Sequence, residues 1–87
     1  MNIDFDLRKA RANLRKHGVS FEEALTALYD PMALCIEDES ATGESRWVLI
    51  GVSQRARVLT VVYTLRNEQI RIISAHKSTQ HEIKNYA

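Results

Sequence analysis

At 87 residues the chain has room for a single domain, residues 1–87, with one modest hydrophobic core. Its hydrophobic fraction of 45% and charged fraction of 26% are those of a globular protein, which excludes wholesale disorder. The formal net charge of +1 gives no overall signature of nucleic-acid binding. Charge is nevertheless segregated, because residues 8–17 are strongly basic and residues 37–44 are acidic, so we expect a local cationic surface.

The single cysteine, Cys35, excludes an internal disulfide and is typical of a reducing compartment. Because it lies in the apolar run Met32–Ile36, we expect a buried, unreactive thiol. No segment approaches the roughly 20 apolar residues of a membrane span, and the first residues lack the apolar core of a signal peptide. These features predict a cytoplasmic protein with no membrane partner.

The first predicted element is a helix over residues 7–17, with Asp6 as its N-cap and Gly18 just beyond its end. Four apolar residues repeat at helical spacing and are expected to face the core: Ile3, Leu7, Ala10 and Leu14. The other face of this helix is basic, and by default such a face is solvated. Ser20 and Glu23 form a capping-box pattern at the start of a second helix, which Asp30–Pro31 ends.

Beyond Pro31 the pattern changes to that of strands. Four segments rich in β-branched and aromatic residues predict an antiparallel meander: Met32–Ile36, Arg46–Ser53, Arg57–Leu65 and Gln69–His76. Ser78 is expected to cap a last short helix that ends near Tyr86. The predicted fold class is therefore α+β, with two N-terminal helices, a four-stranded antiparallel sheet and a short C-terminal helix.

The last two predicted strands have unlike faces. A two-residue turn at Asn67–Glu68 pairs Thr64 with Arg71 and Val62 with Ile73. Alternation then assigns one face to the core: Leu59, Val61, Tyr63, Leu65, Ile70 and Ile72, with Ser74 and His76 at its far end. The opposite face is a cationic platform: Thr60, Thr64, Arg66, Arg71 and Lys77, among Val62, Ile73 and Ala75. A three-residue loop at 54–56 adds Arg46 beside Thr64, whereas a loop of two or four residues adds Trp47.

Cations on a rigid sheet suit a phosphodiester, because the planar guanidinium binds two phosphate oxygens and stabilises the charge that develops during RNA cleavage. Such a site needs no metal and no cofactor. A base must take the 2′-OH proton and an acid must protonate the leaving 5′-oxygen. The candidates for these two roles are His17, His76, His81, Glu82 and Tyr86.

Structural alternatives accompany these candidates. Arg71 can instead form a structural ion pair, and Arg66 can be a solvated residue beside the hairpin turn. Trp47 can belong to the core or to a partner interface. A protonated His17 suits the carboxyl end of a helix. The histidines do not have a recognised zinc-ligand spacing and Cys35 is remote from them, so no metal site is predicted.

Several segments resemble the BrnT family. They are Asn13–Ala24 (NLRKHGVSFEEA), Asp30–Pro31, Arg46–Gly51, Val62–Thr64, Arg71–Ala75 (RIISA) and the ending Glu82–Tyr86. These segments span nearly the whole chain in the family's order. The resemblance implies a RelE-like fold and a type II toxin that cleaves RNA and arrests translation. It also implies a BrnA-like antitoxin, two copies of each protein in the complex, and contact with operator DNA only through the antitoxin.

The resemblance also points to particular residues here. The family pattern highlights Lys16, His17, Arg46, Thr64, Arg66, Arg71, Glu82 and Tyr86. With the residue-based candidates added, the predicted catalytic set is Arg66, Arg71, His76, Glu82 and Tyr86. The predicted substrate-binding set is Lys16, His17, Arg46, Trp47, Thr64 and Lys77. Arg66 and Arg71 are expected to contact phosphate and stabilise transition-state charge.

The chain departs from the family pattern at two positions. The family reads R-I-I-S-A-R where this chain has His76, and a Glu precedes the arginine at 46 where this chain has Ser45. His76 binds phosphate as a full cation only when protonated, or else it serves as the base. Two other functions stay open: a corepressor that binds an antitoxin without catalysis, and a plain nucleic-acid-binding domain.

Overall fold

The computed structural model describes residues 3–38 and 45–86, and at Ile3, Asn85 and Tyr86 it describes the backbone alone. In chain order the elements are β1 (Ile3–Asp4), α1 (Leu7–His17), α2 (Phe21–Ala27), β2 (Leu34–Asp38), β3 (Arg46–Val52), β4 (Val58–Arg66), β5 (Gln69–Lys77) and α3 (Gln80–Tyr86). This is the predicted α+β fold, with one short strand added at its start. None of the helices described is long and apolar enough to cross a membrane.

The ends of α1 are those predicted. The Asp6 side chain accepts hydrogen bonds from the backbone N–H groups of Arg8 and Lys9, at 2.8 and 3.3 Å. At the other end Gly18 has a φ of 71° and its N–H donates to the carbonyl of Leu14. Glycine reaches this left-handed conformation without the steric cost that a side chain brings.

Within the described residues the strands form one sheet in the order β1-β5-β4-β3-β2. The meander from β2 to β5 is antiparallel, as predicted. β1 was not predicted, because two residues carry no readable alternation. It pairs parallel with β5, which places Ile3 beside Ile70 and Asp4 beside Arg71.

The hairpin between β4 and β5 has the predicted turn. Asn67 and Glu68 have φ values of 49° and 65°, as a type I′ turn requires, and Thr64 pairs with Arg71. In the next strand Arg46 pairs with Thr64, as the loop of three residues predicted.

Further along the same hairpin a β-bulge overturns part of the predicted register. The pairing shifts between Val62 and Tyr63, so Val62 lies opposite Ser74, and the predicted pair of Val62 with Ile73 is wrong. The extra residue inverts the alternation beyond it. Ala75 is therefore buried in the core, whereas we had predicted it on the platform.

The same inversion exchanges two predicted positions. His76 lies opposite Thr60, on the face that carries the rest of the predicted platform, and Lys77 lies opposite Leu59 in register with the core face. The predictions that placed Ser74 and His76 on the core face and Lys77 on the platform are wrong for this reason.

The sheet has helices on both faces. α1 and α2 pack on the face that contains the main core, formed by Val19, Phe21, Ala24, Ala27, Leu49, Leu59, Val61, Ile72 and Ala75. α3 contacts β3, whose Ile50 is buried, as is Thr60 of β4. α2 approaches the sheet closely, since a Cβ at Gly51 would lie 2.7 Å from the carbonyl oxygen of Ala27.

The predicted core stripe of α1 is right for Ala10, which packs against the core, and wrong for its two leucines, while the side chain of Ile3 lies outside the described residues. Leu7 is 64% exposed and Leu14 is 51% exposed, whereas Asn13 is only 7% exposed. The helix is rotated so that Asn13 faces β5, because its amide binds the backbone of that strand. The leucines consequently lie at the surface.

Candidate active site

Three predicted site residues come together where α1, β5 and α3 meet. Nε2 of His76 lies 3.1 and 3.2 Å from the two carboxylate oxygens of Glu82. The ring of His17, the last residue of α1, lies with its centroid 5.8 Å from that of His76. We call these three residues the histidine cluster.

The bulge in β5 and the side chain of Asn13 build the cluster. The bulge turns His76 to the face where α3 packs. The Asn13 amide donates to the carbonyls of Val19 and Ala75, at 2.9 and 2.7 Å, and accepts from the N–H of Ala75 at 3.0 Å. It thereby holds the helix that ends in His17 against the residue that precedes His76.

Glu82 is positioned by a capping box at the start of α3. The N–H of Thr79 donates to the Glu82 carboxylate at 2.8 Å, and the N–H of Glu82 donates to the Thr79 hydroxyl at 3.2 Å. The predicted cap, Ser78, instead shares a hydrogen bond with the Thr60 hydroxyl at 2.8 Å. The predicted helix is present, but its capping residue is Thr79 rather than Ser78.

The electrostatics of the cluster favour an ionised Glu82. Partial burial alone would raise the pKa of this carboxyl group, but hydrogen bonds from the Thr79 backbone and the His76 ring hold that pKa below its usual value. A carboxylate therefore faces His76 at neutral pH. His17 lies at the carboxyl end of α1, beside this pair.

A cationic cleft adjoins His17. It lies between α1 and β5, and it is lined by Lys9, Lys16 and His17 on the helix and by Ile73 and Ser74 on the strand. Both lysines are exposed. The predicted binding residue Lys16 therefore lies next to the histidine cluster, where it can meet an anionic substrate.

A second group of predicted residues forms a row across the sheet. Arg71 pairs with Thr64, which pairs with Arg46, and the row ends in Asp4 on one side and Asp38 on the other. We call this set the arginine row. Within the row Arg71 is paired with Asp4, since Nη1 of Arg71 lies 2.8 Å from the Asp4 carboxylate.

The other groups of the arginine row and its neighbour Arg66 have different environments. Thr64 is buried and its hydroxyl donates to the carbonyl of Ser45 at 2.5 Å. Arg46 and Arg66 are exposed, and Arg66 ends β4 at the hairpin turn. The row is therefore partly neutralised at its Arg71 end and open to solvent at Arg46.

The histidine cluster and the arginine row lie at opposite ends of the β4–β5 ladder. His76 is opposite Thr60 and Arg71 is opposite Thr64, four residues further along β4. At 3.3 Å per residue this is about 13 Å. The two groups of predicted residues therefore occupy different parts of the same sheet face.

The remaining predicted residues lie elsewhere. Trp47 is half-buried opposite Tyr63, and its position in the strand alternation puts it on the other face from Arg46. Lys77 is exposed near the end of β5, and His81 is exposed on α3. Tyr86 ends α3, and its side chain lies outside the described part of the structure.

The prediction of a buried thiol is wrong, because Cys35 is exposed on β2. Its Sγ lies 3.1 Å from the Tyr63 hydroxyl oxygen. Burial and this contact with Cys35 raise the pKa of Tyr63. β2 is the last strand in the sheet order, and an outer strand leaves its side chains less covered than a central one does.

Sequence reasoning also missed a buried ion pair. The Glu23 carboxylate accepts hydrogen bonds from Nε and Nη2 of Arg57, with Nε at 2.9 Å, and from the Ser53 hydroxyl at 2.7 Å. Half of the predicted capping box is present, since the N–H of Glu23 donates to Ser20 at 3.0 Å. The carboxylate itself instead fixes the β3–β4 loop to the start of α2.

In the part of the chain that the structure describes, no group of three or more histidine, cysteine or acidic residues is placed to hold a metal ion. The histidine cluster offers acid–base groups, and the lysines of the adjoining cleft offer cations. Two histidines that flank one phosphate, with lysines beside them, can transfer protons and bind negative charge.

Comparison with known proteins identifies the family. Residues 5–82 match the family described as the ribonuclease toxin, BrnT, of type II toxin–antitoxin systems. The fold is similar to that of the Brucella abortus ribonuclease toxin BrnT, whose crystal structure aligns with a TM-score of 0.69 and 24% identity over 92% of this chain and 99% of that one. No curated protein matches the chain. The family match spans most of the sequence, and the chain belongs to the BrnT family of ribonuclease toxins.

Proposed function

We propose that this protein is an endoribonuclease that cleaves RNA without a metal ion and thereby inhibits translation. A BrnA-like antitoxin neutralises it in a complex of two toxins with two antitoxins, and that complex contacts operator DNA through the antitoxin. The observation that carries the catalytic part is the histidine cluster, in which two rings and a carboxylate meet beside exposed lysines.

The cluster supports a two-histidine mechanism. Because Glu82 accepts a hydrogen bond from Nε2 of His76, Nδ1 of a neutral His76 is left as a proton acceptor. His76 takes the proton from the 2′-OH as the oxygen bonds to phosphorus. A protonated His17 gives its proton to the 5′-oxygen as that P–O bond breaks. The products are a 2′,3′-cyclic phosphate and a 5′-hydroxyl.

The spacing of the rings fits this division of roles. The two rings are neighbours, with their centroids 5.8 Å apart, so a phosphodiester that lies across them is within reach of both. Lys16 stabilises the charge on the phosphate oxygens. By the same strand spacing, Arg71 lies about 13 Å and Arg66 about 20 Å along the sheet from His76, so the arginine row and Arg66 bind phosphates further along the RNA.

The test is RNA cleavage by the purified protein in EDTA. We expect a cyclic phosphate product, and about 10²- to 10⁴-fold slower cleavage after His17→Gln or His76→Gln. Arg71→Ala should chiefly weaken RNA binding. His81→Gln is the matched control, because the His81 side chain is exposed on the same helix as Glu82. Intact RNA, both with and without ribosomes, would refute the proposal.

One observation favours a second candidate, a corepressor that binds the antitoxin without catalysis. The predicted phosphate ligand Arg71 is already paired with Asp4. Under this alternative, expression of the protein alone leaves growth unaffected. Under the proposed function, expression arrests growth, coexpression of the antitoxin restores it, and the His76→Gln variant causes no arrest.

A further inference from the structure

An exposed apolar groove runs between α1 and α2, on the side of α1 that the sequence predicted to be buried. Its walls are Leu7 and Leu14, which are 64% and 51% exposed. Phe5 and Phe21 also line it, in edge-to-face contact with ring centroids 5.5 Å apart. Large apolar side chains spaced along one helix and left in solvent are typical of a surface that a partner covers.

The charges beside the groove are of one sign along α1. Arg8, Arg11 and Arg15 follow one another at i, i+3 and i+7, all three are exposed, and Arg11 itself lines the groove. The sequence of α1, LRKARANLRKH, contains no acidic residue. The groove therefore combines an apolar floor with a ridge of arginines on its α1 side, and Glu22 lines it on the α2 side.

We propose that this groove binds an acidic amphipathic helix of the antitoxin. This inference rests on the proposed function for the existence of that partner. The distance from Leu7 to Leu14 is seven residues, about 10 Å along the helix axis, so an occupant of two to three turns fits. Its apolar side chains at i, i+3 or i+4, and i+7 contact Leu7, Leu14 and Phe5, and its carboxylates meet the arginines.

The exposed leucines favour a protein segment over RNA in this groove. A nucleic-acid strand is bound by cations and by stacking on exposed aromatic faces. Here Phe21 is fully buried and Phe5 is half-buried, so the side chains open to an occupant are mainly aliphatic. The lysines of the cationic cleft, by contrast, lie beside the histidine cluster.

The test measures the binding of the full-length protein encoded by the reading frame adjacent to this chain's gene, by calorimetry on the intact toxin. Leu7→Ser with Leu14→Ser should weaken binding at least about 10-fold, because truncated anchors at the centre of an interface dominate its affinity. Met32→Ser with Leu65→Ser is the matched control, since these side chains are 75% and 47% exposed outside the groove.

The charge is tested separately. Arg11→Glu should weaken binding and slow association, whereas Lys84→Glu, an equal charge change at an exposed residue of α3, should not. All variants should melt within about 3 °C of the wild type, because substitutions at exposed positions have small effects. The leucine variant should also keep its rate of RNA cleavage.

Each other outcome overturns the inference. If the leucine variant binds the partner as the wild type does, this inference is refuted and the proposed function is not. If the leucine variant loses RNA cleavage while binding stays intact, the inference is likewise refuted, because the groove is then assigned to RNA. A wild-type chain that does not bind the adjacent-frame protein refutes both this inference and the antitoxin part of the proposed function. RNA cleavage in EDTA is a separate assay, so it tests the catalytic part of the proposed function independently of antitoxin binding.

Discussion

Asn13 is expected to be the polar residue on which the packing of α1 most depends. Its side chain makes three hydrogen bonds to the backbone of Val19 and Ala75 while being only 7% exposed. Asn13→Ala leaves one N–H and two carbonyls without these partners. Each orphaned group costs about 1–3 kcal/mol, and at the lower end of that range the free energy of unfolding falls by about 3 kcal/mol.

A loss of this size is a large share of the stability of a small domain, which is about 5–15 kcal/mol. The melting temperature should fall by roughly 12–24 °C, since a domain of this size loses about 4–8 °C per kcal/mol. Gln80→Ala is the control, because it removes an amide from an exposed position and should change stability by less than about 0.5 kcal/mol.

Hydrogen exchange gives a readout at the site itself. The Ala75 amide donates to Asn13 Oδ1 and should exchange slowly in the wild type. In Asn13→Ala it should exchange much faster than amides at the centre of β4. A variant that loses less than about 0.5 kcal/mol, with Ala75 still protected, would show that the amide does not hold α1 to β5.

Two further perturbations test the packing of α2. The hydrogen bonds from Arg57 hold the pKa of Glu23 below the usual 4.5, so the folded pKa is depressed and the ion pair stabilises the fold above about pH 4.5. The urea midpoint should therefore fall as the pH drops through the folded pKa, and Glu23→Gln should flatten that dependence; an identical pH profile would contradict the assignment. Gly51→Ala should cost about 1–3 kcal/mol in thermal melts, because its Cβ meets the Ala27 carbonyl at 2.7 Å, and an unchanged melting temperature would contradict this close approach.

The features that the sequence predicted well are local ones. The cap at Asp6, the left-handed Gly18 and the turn at Asn67–Glu68 each depend on residues within one turn of chain. The register of the hairpin near that turn follows from the two-residue length of the turn. Residue chemistry placed His17 and Glu82 among five acid–base candidates, and the family resemblance highlighted both of them.

The features that the sequence did not predict depend on contacts between distant segments of the chain. Asn13 and Ala75 are 62 positions apart, and Glu23 and Arg57 are 34 apart, so no local pattern reveals either contact. The rotation of α1 is a consequence of the first contact, because binding the backbone of β5 takes precedence over burying Leu7 and Leu14. An apolar stripe at helical spacing therefore identified the helix but not the face that packs.

The bulge in β5 had the largest consequence for the site. Strict alternation put His76 on the core face and Lys77 on the platform, and one extra residue reversed both. The reversal moves His76 from the predicted core face to the other face, where its ring contacts Glu82.

The residue at position 76 decides between two roles, since the family pattern has arginine there. If the site needs a base, His76→Arg should be as inactive as His76→Gln, because a guanidinium is always protonated and cannot accept a proton. If the site needs a cation held by Glu82, His76→Arg should keep or raise the rate. We expect the first result, measured as cleavage rate against pH in EDTA. An active His76→Arg variant would refute the base role and transfer it to His17, the other ring of the cluster.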